Sequence, residues 1–203
     1  MAKLEELGRI MARTITVIHG HPDRADTHLC HALGTAYADG ARAAGHIVRE
    51  IRIADLDFPL LRNEDEYSGP VPDSLTESYA ALSEADHIVI VFPLWLGTLP
   101  ALTKAFFEQV FHRNTAFEDR AGGFPRGRFT GRTVRLVVTM GMPAFFYRLW
   151  YRAHGLKGFE RNVLAMVGMK PLKAVLFGGA GAADEAKRKG WLARMEELGR
   201  KGV

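Results

Sequence analysis

Short apolar runs and amphipathic stretches alternate along the chain, and the two kinds of segment differ in period. Five runs have the length and the β-branched character of strands: residues 14–19, 46–53, 87–92, 133–140 and 173–177. The run at residues 87–92 (HIVIVF) is almost entirely apolar, which is typical of a strand buried on both faces of a sheet. We therefore expect a sheet whose central part is covered on both sides.

The segments between the first strands carry helical spacing. Residues 26–44 repeat apolar positions at helical intervals and end at Gly45, the residue type that most often follows a helix. Residues 74–84 predict a second helix, in which Ser74 and Glu77 have the spacing of a capping box. Helices in these places suit the connections between neighbouring parallel strands.

The later connections are more varied. Pro100 opens an amphipathic stretch that runs through residue 112, in the favoured first position of a helix, and a last helix follows the Gly-rich residues 178–181. Residues 55–73 and 122–131 are polar or rich in glycine, arginine and proline, and we predict loops there. A connection as long as residues 55–73 is uncommon unless it serves a function.

This alternation predicts an α/β fold with a five-stranded parallel sheet, right-handed crossovers and helices on both faces. A chain of 203 residues is sized for one domain, and this one shows no internal repeat or linker. We expect that domain to span residues 14–203. Residues 1–13 then form an N-terminal extension, and Met11 is an alternative start.

Composition indicates the environment of the protein. Its single cysteine, Cys30, cannot form an internal disulfide, and the charged start of the chain lacks the features of a secretory signal. No apolar stretch approaches the roughly 20 residues that span a bilayer. We therefore expect a cytoplasmic protein without stable membrane insertion. Cys30 falls inside a predicted helix, has no evident base beside it, and is expected to be inert.

The net charge of +4 raises the question of an anionic partner. The excess is small and concentrates in residues 113–135 and 187–189, and no nucleic-acid-binding module is readable, so we expect no nucleic-acid binding. A local basic patch that attracts a phosphorylated small molecule remains open. No two histidines have convincing metal-ligand spacing with a third partner, and we expect no metal site.

Three strand ends are unusual, and all three belong to the edge at which an open parallel sheet binds its ligands. They are residues 19–22 (HGHP), residues 93–97 (PLWLG) and residues 139–143 (TMGMP). A planar ligand at this edge would be held by three loops.

The first of these loops leads into a helix amino terminus, where free backbone N–H groups and the helix dipole favour an anion. Thr27 and His28 add side-chain donors there. The loop lacks the GxxxxGKS/T pattern of P-loop proteins and the GxGxxG pattern of dinucleotide-binding proteins. The alternative is a plain strand-to-helix turn in which His21 caps the helix.

The second loop places a proline, an aromatic residue and a glycine directly after a buried strand. Gly97 permits unusual backbone angles or a close approach of a ligand. Trp95 either lies against a flat ring or packs in the core, and the residue type alone leaves both open.

Residues 91–111 (VFPLWLGTLPALTKAFFEQVF) resemble the FPLxWxGxPAxLKGxxExVF signature of the NAD(P)H:quinone oxidoreductase family. That family includes the DT-diaphorases, the bacterial modulators of drug activity and the potassium-efflux ancillary oxidoreductases. The resemblance is close through residue 141 and looser over residues 14–90, where His21-Pro22-Asp23 fits the family pattern. It implies a flavodoxin-like three-layer sandwich that binds a flavin, FAD or FMN, with NAD(P)H as the electron donor.

The resemblance also implies which residues contact the flavin. In the phosphate region these are His21, Thr27 and His28. Along the isoalloxazine ring, through their backbone, these are Pro93, Leu94, Trp95 and Leu96. Over the other edge of the ring these are Thr139, Gly141 and Met142.

Some positions depart from the family pattern. Asp26 stands where the family often has serine, and a carboxylate near a phosphate is repulsive unless it turns away or caps the helix. Met140 interrupts the family's frequent TGG motif. The sequence does not distinguish FMN from FAD as the cofactor, or NADH from NADPH as the electron donor. The 2′-phosphate of NADPH would suit the arginines Arg126, Arg128 and Arg132.

The family uses a tyrosine and a histidine near the pyrimidine end of the flavin, and Tyr147 and His154 match them here. If their segment is one helix, a separation of seven residues puts both on one face. A phenol or imidazolium donor there would stabilise the negative charge of the reduced flavin. The alternative is an aromatic stripe (YRLWYRAH) that faces the core or a second subunit.

These implications together predict a flavin-dependent NAD(P)H oxidoreductase that reduces a quinone or similar small-molecule acceptor by two electrons in a ping-pong cycle. Its flat slot would be lined by Trp95, Phe117, Phe124 and aromatic residues near Tyr147. Family members are usually homodimers, and we expect the same here. Two alternatives remain: a flavin-binding regulatory subunit of a membrane transporter of the potassium-efflux type, and a flavodoxin-like electron carrier.

Overall fold

The structure, a computed structural model, describes residues 12–120, 123 and 125–203. Residues 1–11 of the expected extension lie outside the described residues, and so does Phe124 of the expected slot. Arg13 is already bound to the domain, because its backbone N–H donates to His46 Nδ1 (3.1 Å) and its guanidinium donates to the carbonyl of Gly202 (2.8 Å).

A parallel sheet forms the centre of the molecule. In chain order its strands are β1 (Thr14–His19), β2 (Ile47–Arg52), β3 (His87–Pro93), β6 (Thr133–Met140), β7 (Lys170–Pro171) and β8 (Val175–Gly178). A separate antiparallel pair consists of β4 (Phe117–Glu118) and β5 (Arg126–Gly127), and β5 lies in the predicted loop at residues 122–131. The order across the sheet is β2-β1-β3-β6, followed by β7 and β8, which both pair with β6 and share the fifth position.

Strand order reverses between β1 and β3, and the register sets the carboxyl ends of the strands side by side. His19 pairs with Val91, and Pro93 pairs with Thr139. The reversal point of an open parallel sheet is where ligands bind, outside the carboxyl ends. The predicted flavodoxin-like α/β fold is confirmed, with a fifth strand that is interrupted at residues 172–174.

Helices cover both faces of the sheet. They are α1 (Leu29–Ala43), α2 (Glu64–Ser68), α3 (Thr76–Glu84), α4 (Ala101–Val110), α5 (Arg113–Ala116), α6 (Ala144–Leu149), α7 (His154–Phe159) and α8 (Glu185–Lys201). On one face α1 and α8 bury Val89, Val137 and Phe177, and on the other face α3 and α4 bury Ile88 and Phe92. None of these described helices is long and apolar enough to cross a bilayer.

Two glycines let α1 and α8 pack backbone to backbone. A Cβ atom at Gly40 would overlap the carbonyl oxygen of Glu196, and one at Gly199 would overlap the carbonyl oxygen of Tyr37. Such an approach is open only to glycine. No sequence pattern indicates this approach, because the two helices lie far apart along the chain.

The predicted helix starts are wrong by one to three residues. The capping box is absent, because Ser74 lies in a 3₁₀ turn (Asp73–Leu75) and Leu75 is the N-cap of α3 without a side-chain bond. Pro100 is the N-cap of α4 rather than its first helical residue. The predicted loop at residues 55–73 contains α2, whose N-cap Asn63 accepts a bond from the Glu66 N–H (2.9 Å). Helix α2 buries no residue, so apolar periodicity could not reveal it.

Candidate functional site

The three unusual strand ends meet, as their place in the topology requires. The Leu94 N–H donates to the carbonyl of Thr139 (2.8 Å), which joins the second loop to the third. The rings of His21 and Trp95 lie edge to face with centroids 5.8 Å apart, which joins the first loop to the second. The strand ends therefore form one continuous surface at the carboxyl edge of the sheet.

A tight turn at residues 95–98 forms the centre of this surface. Trp95 and Thr98 exchange two backbone hydrogen bonds of 3.0 Å, and the residues between them both have positive φ angles, 48° at Leu96 and 84° at Gly97. This is the pattern of a type I′ turn. The expectation that Gly97 adopts an unusual conformation is confirmed. Leucine in the same conformation costs about 1 kcal/mol, and the Leu96 side chain is fully exposed.

The turn leaves two backbone donors for a ligand. The N–H groups of Leu94 and Trp95 are used in internal hydrogen bonds, and Pro93 has none. Among the described residues no backbone partner is found for the N–H groups of Leu96 and Gly97. Of the four residues whose backbone was predicted to contact the flavin, Leu96 thus has a donor to offer, and Gly97 adds one that was not predicted.

Tyr147 and Gly155 fix this turn from below. The Tyr147 hydroxyl, buried beneath the turn, donates to the carbonyl of Gly97 (3.1 Å), and burial raises the pKa of the phenol. A Cβ at Gly155 would overlap the same carbonyl oxygen. Sequence reasoning missed Gly155, because its contact joins positions 58 residues apart.

The condition for Tyr147 and His154 to share one helix face, a single continuous helix, is not met. Tyr147 belongs to α6 and His154 begins α7, and the helical conformation is interrupted between them at Arg152 and Ala153, whose φ angles are 52° and 51°. His154 is exposed, whereas Tyr147 is buried. Their roles in the site remain a prediction.

Three histidine rings are arranged around Asp23 in the first loop. His21, which is 8% exposed, accepts a bond at Nδ1 from the Asp23 N–H (3.1 Å). His28 Nε2 lies 2.8 Å from an Asp23 carboxylate oxygen, and His31 Nε2 donates to the Asp23 carbonyl (2.9 Å). The rings of His21 and His28 stack at 3.8 Å. Because Nδ1 of His21 accepts, the neutral ring carries its proton on Nε2 as a donor.

Electrostatics in this cluster act in two directions. Burial lowers the pKa of His21, and the neighbouring His28 lowers it further, because two stacked rings resist carrying charge together. Burial also lowers the pKa of His31. The pKa of the Asp23 carboxyl is lowered by the Ala25 N–H and then by His28, so this group is negatively charged. An arriving phosphate therefore meets histidine donors but also a carboxylate, which repels it unless His28 keeps that carboxylate aside.

The amino terminus of α1 remains open beside these rings. Its N-cap residue, His28, makes no side-chain capping bond, and His21 bonds to Asp23 instead, so the alternative in which His21 caps the helix is wrong. Asp26 turns away and pairs with Arg52 (2.8 Å). Thr27 is exposed at the helix start. A 15-residue helix with free terminal N–H groups favours an anion at this end.

The third loop lies on the Gly-rich segment after β8. A Cβ at Gly178 would overlap the backbone of Ala144, and the Gly179 N–H donates to the carbonyl of Met142 (3.0 Å). Gly141 has open space around it. The Thr139 hydroxyl is turned away from this surface and lies 3.1 Å from Cys30 Sγ. Burial raises the pKa of Cys30 to about 12, which keeps the thiol protonated.

An apolar cleft of about 650 Å³ opens beside the turn. Its walls include Trp95, Leu96, Pro100 and Phe159, and Lys104 is the charged residue at its rim. Trp95 is about half exposed, so it is available to a flat ring rather than buried in the core. A cleft for a flat ring, a turn with two free donors and an anion site at a helix start fit a flavin.

Some predicted contacts lie elsewhere. Arg132 precedes β6, at the amino edge of the sheet, where it donates to the carbonyls of Ser83 and Arg128, and its contact with a 2′-phosphate stays a prediction. Arg128 pairs with Glu118 (3.6 Å). Over the described residues no group of three or more His, Cys, Asp or Glu side chains is placed to hold a metal ion.

The alignment with a curated relative covers little more than half of this chain. The ribosyldihydronicotinamide dehydrogenase (quinone) of Pongo abelii is 29% identical over 130 residues, which cover 59% of this chain and 53% of the relative. The chain thus spans about half the length of this relative.

Solved structures resemble the fold over nearly its full length. The NAD(P)H:quinone oxidoreductase from Methanothermobacter marburgensis has a TM-score of 0.78 at 20% identity, and covers 93% of this chain and 98% of its own. The FMN-dependent NADH-azoreductase from Bacillus anthracis, solved in complex with FMN, has a TM-score of 0.68 at 14% identity, and covers 95% of this chain and 100% of its own.

The match to a protein family also covers nearly the full length of the chain. A model described as a flavodoxin-like fold matches residues 13–198, from the residue before β1 into the last helix. Because this match includes every strand of the parallel sheet, the chain belongs to the family of proteins with a flavodoxin-like fold.

Proposed function

We propose that this protein is a flavin-dependent NAD(P)H oxidoreductase that reduces a quinone or similar small molecule by two electrons in a ping-pong cycle. The observation that carries the proposal is the turn at residues 95–98, whose free N–H groups and apolar cleft lie beside an anion site. The quinone reductase names of the relatives support it. A cytoplasmic location belongs to the same proposal, because the single cysteine is buried and unpaired.

A flavin, FMN or FAD, supplies hydride and electron transfer when it is bound. The residues of this chain bind and orient it. His21, Thr27, His28 and the amino end of α1 hold the phosphate, while the N–H groups of Leu96 and Gly97 donate to the polar edge of the ring system. Trp95 and the apolar cleft exclude water from one side. Gly141 and Met142 bound the opposite side.

Tyr147 and His154 carry the proposed proton chemistry. A buried phenol with a raised pKa keeps its proton at neutral pH, and its bond to Gly97 holds that proton beside the turn. To stabilise negative charge on a reduced ring, this hydroxyl would have to turn from the carbonyl of Gly97, because a phenol has a single hydrogen to donate. His154, exposed at the start of α7, provides a second donor that exchanges protons with solvent.

Removing these donors is expected to slow flavin reduction. In stopped-flow mixing with NADH or NADPH, Tyr147→Phe and His154→Gln should each reduce flavin at least about tenfold more slowly. Both variants should still bind flavin, but Tyr147→Phe should bind it more weakly than His154→Gln, because it removes the hydrogen bond that holds the carbonyl of Gly97. Unchanged reduction rates in both variants would show that neither residue takes part.

Steady-state kinetics test the reaction class. With NAD(P)H and a quinone varied together, double-reciprocal plots should give parallel lines, because the first product leaves before the acceptor binds. A flavin-loaded protein with negligible NAD(P)H oxidation would favour the regulatory-subunit alternative. A stable semiquinone in a redox titration would favour the electron carrier.

A homodimer belongs to this proposal. Five large apolar side chains are exposed on and just after α6: Phe145, Phe146, Leu149, Trp150 and Tyr151. An exposed patch of this kind marks an interaction surface, and its place beside the site would let a second subunit complete the slot. Light scattering should give twice the 22.5 kDa chain mass. Trp150→Glu should give the single-chain mass, and Ala193→Glu, on an exposed position of α8, should leave the dimer intact.

A further inference from the structure

The side of the molecule opposite β2 carries a concentrated positive charge. Residues 133–195 contain eleven Lys and Arg residues against three Asp and Glu residues. Within the part of the chain that the structure describes, none of these eleven cations forms an ion pair with a carboxylate, whereas Arg42, Arg49 and Arg52 near β2 all do. Uncompensated charge of one sign raises the local concentration of ions of the opposite sign.

Four of these cations converge on a cavity of about 270 Å³ between α6, β8 and α8: Arg135, Arg148, Lys173 and Arg194. No carboxylate lines it among the described residues. The Arg135 guanidinium donates at Nη1 to the carbonyl of Lys173 (2.7 Å), while its buried Nε has no partner in the described structure. Burial and the neighbouring Arg194 both lower the pKa of Arg135, as expected for a cation without a counter-ion.

A second cavity of about 500 Å³ adjoins the first and shares Arg148 and Lys173 with it. It adds Arg152 and Lys157 at its rim, and the one acid in its lining is Glu160, whose pKa burial raises. Its remaining walls are largely apolar, with Leu156 and Leu172 among them. The pair of cavities thus offers two groups of cations and an apolar surface.

Covering the edge of the sheet explains only part of this arrangement. Arg135 and Arg148 donate to carbonyls of the segment that leads into β8, which occupies unpaired strand groups. That role needs neither the ammonium of Lys173 nor Arg194, and it leaves the buried Nε of Arg135 unused. Like charges brought together without an anion repel one another, whereas a phosphate accepts several guanidinium bonds at once.

We propose that the two cavities form a binding site for a small organic diphosphate, with its phosphates among Arg135, Lys173, Arg194 and Arg148 and its organic part in the second cavity. Recessed cavities suit a small molecule better than a flat polyanion. The site shares no residue with the flavin site, so the proposal does not depend on the proposed function.

Calorimetric titration with inorganic pyrophosphate and with ADP, each with and without FMN, tests the proposal. We expect one pyrophosphate per chain, equal affinity with and without FMN, and ADP at least as tight as pyrophosphate. Arg194→Met and Lys173→Met should weaken both ligands at least about tenfold. Arg188→Met removes the same charge from α8 outside either cavity and should change affinity less than about twofold.

Several results would overturn the proposal. These are no saturable pyrophosphate binding at millimolar concentration, competition between pyrophosphate and FMN, pyrophosphate binding without ADP binding, and equal weakening by Arg188→Met. Preferential binding of anionic phospholipid vesicles or DNA, lost in Arg194→Met and Lys173→Met, would assign the surface to a macromolecule instead.

Discussion

Gly155→Ala is expected to weaken flavin binding by at least about tenfold while the protein remains folded. A methyl group at this position overlaps the carbonyl oxygen of Gly97, and both partners are backbone, so neither can rotate away. The exposed turn at residues 95–98 is the part that yields. It already holds Leu96 at a positive φ angle and depends on the Tyr147 hydroxyl for its position. Displacing it moves the free N–H groups of Leu96 and Gly97, which we propose donate to the flavin.

Gly190→Ala is the control for this change. Gly190 lies in α8, away from the apolar cleft, and a Cβ there meets nothing within 4 Å. Fluorescence titration with FMN and FAD, together with the far-ultraviolet circular dichroism of each variant, measures both effects. Equal flavin affinity in Gly155→Ala and Gly190→Ala, with both folded, would show that the turn does not hold the flavin.

Gly199→Ala is expected to lower the free energy of unfolding by about 3 kcal/mol, at the upper end of ordinary overpacking. Its Cβ overlaps the carbonyl oxygen of Tyr37, so α8 must move away from α1 along the face that buries Val89 and Val137. Helix α1 also presents its amino end to the phosphate site. Loss of this packing should therefore loosen the first loop as well.

Gly190→Ala, in the same helix, should have the opposite effect. A Cβ at Gly190 has open space around it, and alanine is about 1 kcal/mol better than glycine inside a helix. Urea denaturation of the two variants should therefore shift the midpoint in opposite directions. A loss of stability in Gly190→Ala equal to that in Gly199→Ala would show that the close approach of Gly199 to Tyr37 does not determine the effect.

Local patterns predicted the elements that depend on neighbouring residues. The strand at residues 133–140 was predicted with its observed bounds, because the apolar residues that define it follow one another in the sequence. Gly45 follows α1 with a φ angle of 84°, as the C-cap pattern indicated. The carboxyl-edge location of the three loops followed from topology alone.

Contacts between distant segments could not be predicted in the same way. The apposition of Gly155 and Gly97, the approach of Gly199 to Tyr37 and the convergence of Arg135 with Arg194 each join residues far apart in sequence. Residue type was also a poor guide to orientation. The Thr139 hydroxyl lies against Cys30. Arg132 lies at the amino edge of the sheet, whereas its expected contact with a 2′-phosphate placed it near the carboxyl edge.

The ligand released from purified protein decides whether this chain binds a flavin. Absorbance and mass spectrometry of the released ligand should show FMN or FAD, at one molecule per chain after reconstitution, and the bound flavin should be bleached by NAD(P)H without oxygen. A colourless protein that binds neither flavin would contradict the claim.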